Sequence, residues 1–245
     1  MRLRLALAPV IVAFFSLAAA ASEPAHHWSY TGDEGPAHWG GTCKSGKAQS
    51  PIDIHTTTAR MEKLPPLTFD YRPGALHIVD NGHTVQVNVD PGSSLIVGND
   101  QYELVQFHFH KPSEETIDGR HYAMVAHFVH RDKKGNLAVV AVLLKAGADN
   151  PLLDKLWNNV PKEKEREETF DAVTISPAQL LPLGRTYFSF TGSLTTPPCS
   201  ERVRWFVLKA PSTIGINQLI RFGSFYRANA RPVQPINGRR VLVSR

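Results

Sequence analysis

Apolar and polar residues alternate in short runs along most of this chain. Runs at residues 84–89, 95–97, 102–110, 122–130, 137–145, 187–190 and 203–208 are rich in Val, Leu, Ile, Phe and Tyr. Turn signals separate many of them: Asn81-Gly82, Pro91-Gly92, Gly98-Asn99 and Lys134-Gly135-Asn136. Period-two alternation between such signals is the mark of strands. The pattern predicts a predominantly β protein with a central sheet, without internal repeats or low-complexity linkers. Two stretches read as helices. Asn150-Pro151-Leu152-Leu153-Asp154-Lys155-Leu156-Trp157 has a cap residue, proline at the first helical position and apolar residues three and four apart. Residues 212–227 form a weaker candidate, interrupted by Gly215 and Gly223. The mixed charges of 162–168 read as a solvated loop or helix face.

The beginning of the chain has a different character. Met1-Arg2-Leu3-Arg4 is followed by an apolar run to Leu17 and then by Ala18-Ala19-Ala20-Ala21-Ser22. A basic start, a short apolar stretch and a small-residue end make a secretory signal peptide over residues 1–21, with one domain over 22–245. The apolar run is short for a membrane span. The expectation is a secreted or periplasmic protein, free of the membrane after cleavage. Removing the leader takes away Arg2 and Arg4. The formal charge then falls from +5 to +3, or 25 basic against 22 acidic residues. That small excess is no nucleic-acid footprint. The only cysteines are Cys43 and Cys199; in an exported chain an even pair reads as a disulfide.

Histidines carry the candidate chemistry. His108 and His110 stand two apart in Val105-Gln106-Phe107-His108-Phe109-His110. On a strand that spacing places Gln106 and both imidazoles on one face, with Phe107 and Phe109 on the other. Gln106 can then reach the ring of His108. A third imidazole from a neighbouring strand would complete a three-histidine Zn2+ site with its fourth position open to water. His127 and His130, in Ala126-His127-Phe128-Val129-His130, lie on opposite faces of their strand. Parity alone does not choose between them.

Beyond these residues, whole blocks of the chain resemble one family. His26-His27-Trp28-Ser29-Tyr30, Gln49-Ser50-Pro51-Ile52-Asp53-Ile54, Asn81-Gly82-His83, Gly192-Ser193-Leu194-Thr195-Thr196-Pro197-Pro198 and Arg231-Pro232-Val233-Gln234-Pro235 stand in the order found in bacterial, secreted α-class carbonic anhydrases. The resemblance implies a single mostly β (α+β) domain, with a largely antiparallel twisted sheet of about ten strands and short peripheral helices. It implies reversible hydration of CO2 to bicarbonate and a proton through a zinc-bound hydroxide, by a monomer or homodimer with a small-molecule substrate. It selects His127 over His130 as the third ligand. It also implies that Thr195 orients the nucleophile and Glu114 accepts the threonine's proton. Val129, Val139, Leu194 and Trp205 would line the CO2 pocket, with Thr196 beside them. His83 matches the family's proton shuttle, and Tyr30 resembles a tyrosine of the solvent network near zinc.

Each ligand should give its outer ring N–H to an acceptor. For the second ligand the family uses a backbone carbonyl near the C-terminus, here expected within Ile236-Asn237-Gly238-Arg239. For the third it uses a Glu two residues earlier, and this chain has Val125 there. That departure implies weaker zinc retention. It also keeps open a weakly active or non-catalytic binding protein on the same fold. A third reading is a cupin-like metal site using Glu114. It lacks the flanking glycine, since Tyr102 stands six before His108, and it lacks a second motif. H-E-x-x-H, the zincin signature, is absent from the chain.

Overall fold

The alternating runs pair into one large sheet. The structure, a computed structural model, describes residues 27–245, so the leader expected at 1–21 lies outside the described residues. Thirteen strands form a mixed sheet. Ten lie on a continuous path in the order Glu167–Ile175, Gly74–Asp80, Val85–Asn88, Asp100–His110, Met124–Arg131, Leu137–Ala146, Glu201–Leu208, Tyr187–Ser193, Leu242–Ser244 and Arg60–Glu62. Along this path the pairs are antiparallel, except for Leu137–Ala146 with Glu201–Leu208 and Leu242–Ser244 with Arg60–Glu62.

The central strands are covered on both faces, which is why Leu137–Ala146 reads as an almost unbroken apolar run. On one face Phe107, Phe109, Phe128, Val140 and Val142 join the main core. Leu152, Leu153, Leu156 and Trp157 of the helix Pro151–Asn158 pack there, with Phe222 of the helix Ile216–Phe225. Fully burying each such side chain stabilises by roughly 1.5–3 kcal/mol. The opposite face holds a smaller apolar cluster that includes Val125, Val139, Ala141, Leu143, Phe190 and Trp205. The candidate site sits on this second face.

The first helix begins as its sequence indicates. Asn150 caps it by accepting the Leu152 N–H at 3.0 Å. The second candidate is shorter than 212–227. Ser212–Ile214 is a strand, taken up by parallel pairing with Leu144–Ala146, and the helix starts only after Gly215. The charged stretch 162–168 also ends differently, because Glu167 and Glu168 open the edge strand Glu167–Ile175. Most side chains of this strand lie in solvent, so the apolar signal is weak.

Candidate metal centre

Register decides which histidines meet. Asp100–His110 and Met124–Arg131 pair antiparallel, with His127 opposite His108 and Val125 opposite His110. The rings of His108, His110 and His127 lie 4.8–5.6 Å apart between centroids. Each ring offers a nitrogen, and the three nitrogens fall within 4.8 Å of one another. His130 points into the other core. There it is fully buried, with Nε2 2.7 Å from the Tyr71 hydroxyl and Nδ1 3.3 Å from the Ala138 carbonyl.

Each of the three rings has one nitrogen engaged. His108 Nδ1 is 2.8 Å from Gln106 Oε1, the same-face neighbour two residues earlier. His110 Nδ1 lies 2.8 Å from the carbonyl of Asn229. The expected acceptor within 236–239 is therefore corrected to Asn229. The Asn229 side chain holds this position by accepting the Lys111 N–H at 2.8 Å and donating to the carbonyls of Phe109 and His83. His127 Nε2 lies 3.1 Å from Glu115 Oε2 and 3.1 Å from Oε1. Val125 packs in the apolar cluster and offers no acceptor. Valine cannot accept the His127 ring N–H, and the group that stands there in its place is the carboxylate of Glu115.

The remaining nitrogens suit a metal ion. His110 Nε2 is buried and has no hydrogen-bond partner. Burial, with His127 close by, lowers the pKa of His108 to about 3 and moves that of His110 well below 6.5. Both rings are therefore neutral near pH 7, the form that ligates metals. Burial also acts to lower His127, but the charge and hydrogen bond of Glu115 and the charge of Glu114 leave it raised. A set of imidazoles with outer partners and convergent inner nitrogens, two of them buried and one half-buried, fits a zinc ion by donor chemistry.

Glu114 stands on the inner side of His127. Its Oε1 accepts the Arg231 backbone N–H at 2.8 Å, and its Oε2 lies 3.8 Å from His127 Nδ1. Burial pushes its carboxyl up to about 7; His127, the Arg231 amide and the Thr195 hydroxyl pull against that, while Glu115 adds to it. Thr195 is close enough for its hydroxyl to favour the charged carboxylate. Glu114 Oε2 is buried without a partner.

The apolar wall spans three strands at one level. Val129 is opposite Val139, and Val139 is beside Trp205. Leu194 packs against the same cluster, and Trp205 Nε1 donates to the Ser193 carbonyl at 3.0 Å. Trp205 meets the His127 ring edge to face at 5.0 Å. Thr196 is half-buried in the loop that follows. Cys199 closes this loop with a disulfide to Cys43.

His83 lies in the turn between Gly74–Asp80 and Val85–Asn88. Gly82 takes φ +83° there, and Asn81 Oδ1 accepts the N–H groups of His83 and Thr84 at 3.0 and 2.9 Å. The half-buried imidazole stacks on Trp28, 3.6 Å between centroids. Burial and then the charge of His27 lower its pKa from 6.5. Tyr30 packs edge-on to His110 with its hydroxyl buried and unpartnered. Sequence reasoning missed Glu115, Asn229, Arg231 and Trp28. Trp28 and Arg231 stand within the family-like blocks without an assigned task, and Glu115 shows only as the doubled carboxylate of Glu114-Glu115 soon after the histidine strand.

A large β sheet carries three convergent imidazoles, two buried and one half-buried, beside two carboxylates, an arrangement that could hold a metal ion. Comparison with known proteins makes the family specific. Residues 34–245 match the model of the eukaryotic-type carbonic anhydrase family. Carbonic anhydrase of Pectobacterium carotovorum is 41% identical over 99% of this chain and 100% of its own. That of Klebsiella pneumoniae is 44% identical over 89% and 91%. The α-carbonic anhydrase of Thermovibrio ammonificans, solved with the inhibitor sulfanilamide, superposes with a TM-score of 0.85 at 44% identity, covering 88% of this chain and 98% of that one. The chain belongs to the eukaryotic-type, or α-class, carbonic anhydrase family, and it is an enzyme of that kind.

Proposed function

We propose that this chain is an exported, zinc-dependent enzyme that interconverts carbon dioxide and bicarbonate, with His108, His110 and His127 holding the ion. The carrying observation is the convergence of three imidazoles whose other nitrogens are each held by an acceptor. Zn2+, when bound, supplies Lewis-acid activation of water, a chemistry for which carbonic anhydrases are themselves the reference case.

The remaining work falls to the chain. Thr195 Oγ1 orients the attacking oxygen by accepting its proton-side hydrogen bond. The threonine's own proton turns toward Glu114 Oε2, the buried oxygen without another partner. This aims the nucleophile, an effect of orientation rather than of acidity. CO2 offers little to hydrogen-bond, so Val129, Val139, Leu194 and Trp205 bind it by contact, and Thr196 lines the same end. His83, half-buried at the turn, takes protons outward; Tyr30 packs edge-on to both His110 and Trp28, the ring on which His83 stacks. A lowered pKa keeps most His83 rings neutral near pH 7, ready to accept a proton.

Export rests on the charged and apolar leader. Among the described residues no helix is long and apolar enough to cross a membrane. A non-catalytic binding role finds less support, since the three imidazoles, Thr195 and Glu114 are all present. Oxygen-isotope exchange from labelled CO2 tests the proposal. The zinc-loaded protein should deplete the label rapidly, and His127→Ala should do so at the buffer rate. Equal rates for the two would contradict it.

A further inference from the structure

The carboxylate at His127 comes from outside the strand that carries this histidine. On that strand Val125 occupies the same-face position two residues earlier, fully buried in the apolar cluster with Val139 and Leu143. Glu115 approaches instead from the segment after His110. Its side chain is fully buried, and both carboxylate oxygens lie 3.1 Å from His127 Nε2. Taking a carboxylate out of water costs several kcal/mol unless it is paired. For Glu115 the pairing group is this ring N–H; Oε1 has no other hydrogen-bond partner.

The segment is pinned so that Glu115 holds this position. Ser113 Oγ donates to the Glu115 carbonyl at 2.8 Å and accepts the Tyr122 N–H at 2.9 Å. On the other side Thr116 donates through Oγ1 to Asp53 Oδ1 at 2.6 Å and pairs with Asp53 in a short parallel strand. Adjacent carboxylates are thereby divided between the two nitrogens of one imidazole. Glu114 Oε2 faces Nδ1, and Glu115 grips Nε2.

We propose that Glu115 is the positioning residue of the third histidine: it accepts the Nε2–H, fixes that tautomer and turns Nδ1 toward the ion. Glu115 thus takes over a task for which Val125 is unfit, and Val125 is a packing residue. The inference rests on reading the three histidines as a zinc site.

The test uses the mature zinc-loaded protein and its Glu115→Ala and Glu115→Gln variants. Zinc loss to a chelator is followed, together with the nitrogen and proton resonances of the histidine rings. Outer partners of zinc histidines typically contribute about 10–100-fold to affinity or activity, a range that draws on carbonic anhydrase itself. Glu115→Ala should release zinc faster by that order. Glu115→Gln keeps an acceptor oxygen and should restore most of the retention. In the parent protein His127 should be the Nε2–H tautomer with a downfield ring proton, kept in Gln and lost in Ala. Parent-like release from Glu115→Ala with an unchanged His127 resonance would overturn the proposal. So would Gln releasing as fast as Ala, or an Nδ1–H tautomer in the parent protein, which is read without any variant. Zinc bound with the expected tautomer but without CO2 hydration would refute the proposed reaction and leave Glu115's role standing.

Discussion

His127 is the register partner of His108 across two antiparallel strands, so both rings rise from one face at one level. His130, three residues further on, falls on the other face and bonds Tyr71. From this relationship we predict that His127→Ala lowers zinc affinity by more than roughly 100-fold, beyond the range for an outer partner. His130→Gln should retain one zinc per chain. Metal analysis after dialysis against a weak chelator checks both, and zinc loss from His130→Gln alone would place the third ligand wrongly.

His83 stands outside the ligand set, stacked on Trp28 at the turn. Its replacement by Ala should slow turnover in weak buffer, by about 10-fold or more if proton transfer contributes as general acid–base groups usually do. Added imidazole should restore the rate, with kcat/KM little changed. A matching fall in kcat/KM without rescue would assign His83 a different task.

Cys43 and Cys199 are 156 residues apart in sequence and joined in the fold. Closing so long a loop stabilises by up to roughly 5 kcal/mol in the chain-entropy model. The Cys43→Ser/Cys199→Ser variant should lose roughly 2–5 kcal/mol in urea unfolding. Mass spectrometry after alkylation without reductant should find neither cysteine of the parent protein labelled.

Acid stability should depend on His130. Burial lowers its folded-state pKa to about 3, against 6.5 when unfolded. Between these values the unfolded chain binds the extra proton, so stability rises with pH. The contribution is complete above pH 6.5 and is lost as pH falls toward 3. His130→Gln should flatten this part of the urea-unfolding profile. An unchanged slope would show that His130 does not carry the acid sensitivity.

The face of each histidine was legible because side-chain period on a strand is a local property. Gln106, His108 and His110 therefore fell together on parity, and Phe107 and Phe109 went to the core. Strand neighbours are not local, so parity cannot choose between His127 and His130; the resemblance selects His127, and the register sets that residue opposite His108. Asn229 leaves no local sign, and Glu115 only a doubled carboxylate, for the same reason. Each reaches its histidine from a separate loop, 119 and 12 residues away in sequence. Along its own strand Val125 shows only that a carboxylate is missing there, because the one from Glu115 comes from another segment. The edge strand Glu167–Ile175 escaped notice because solvent covers most of its side chains.

The central claim is that zinc on these three histidines hydrates carbon dioxide. Stopped-flow CO2 hydration, measured as zinc is returned in steps to the chelator-stripped protein, tests it most directly. The initial rate should rise in proportion to bound zinc and level off at one ion per chain. A rate that remains at the buffer value with one zinc bound, or that is already full in the stripped protein, would contradict the account.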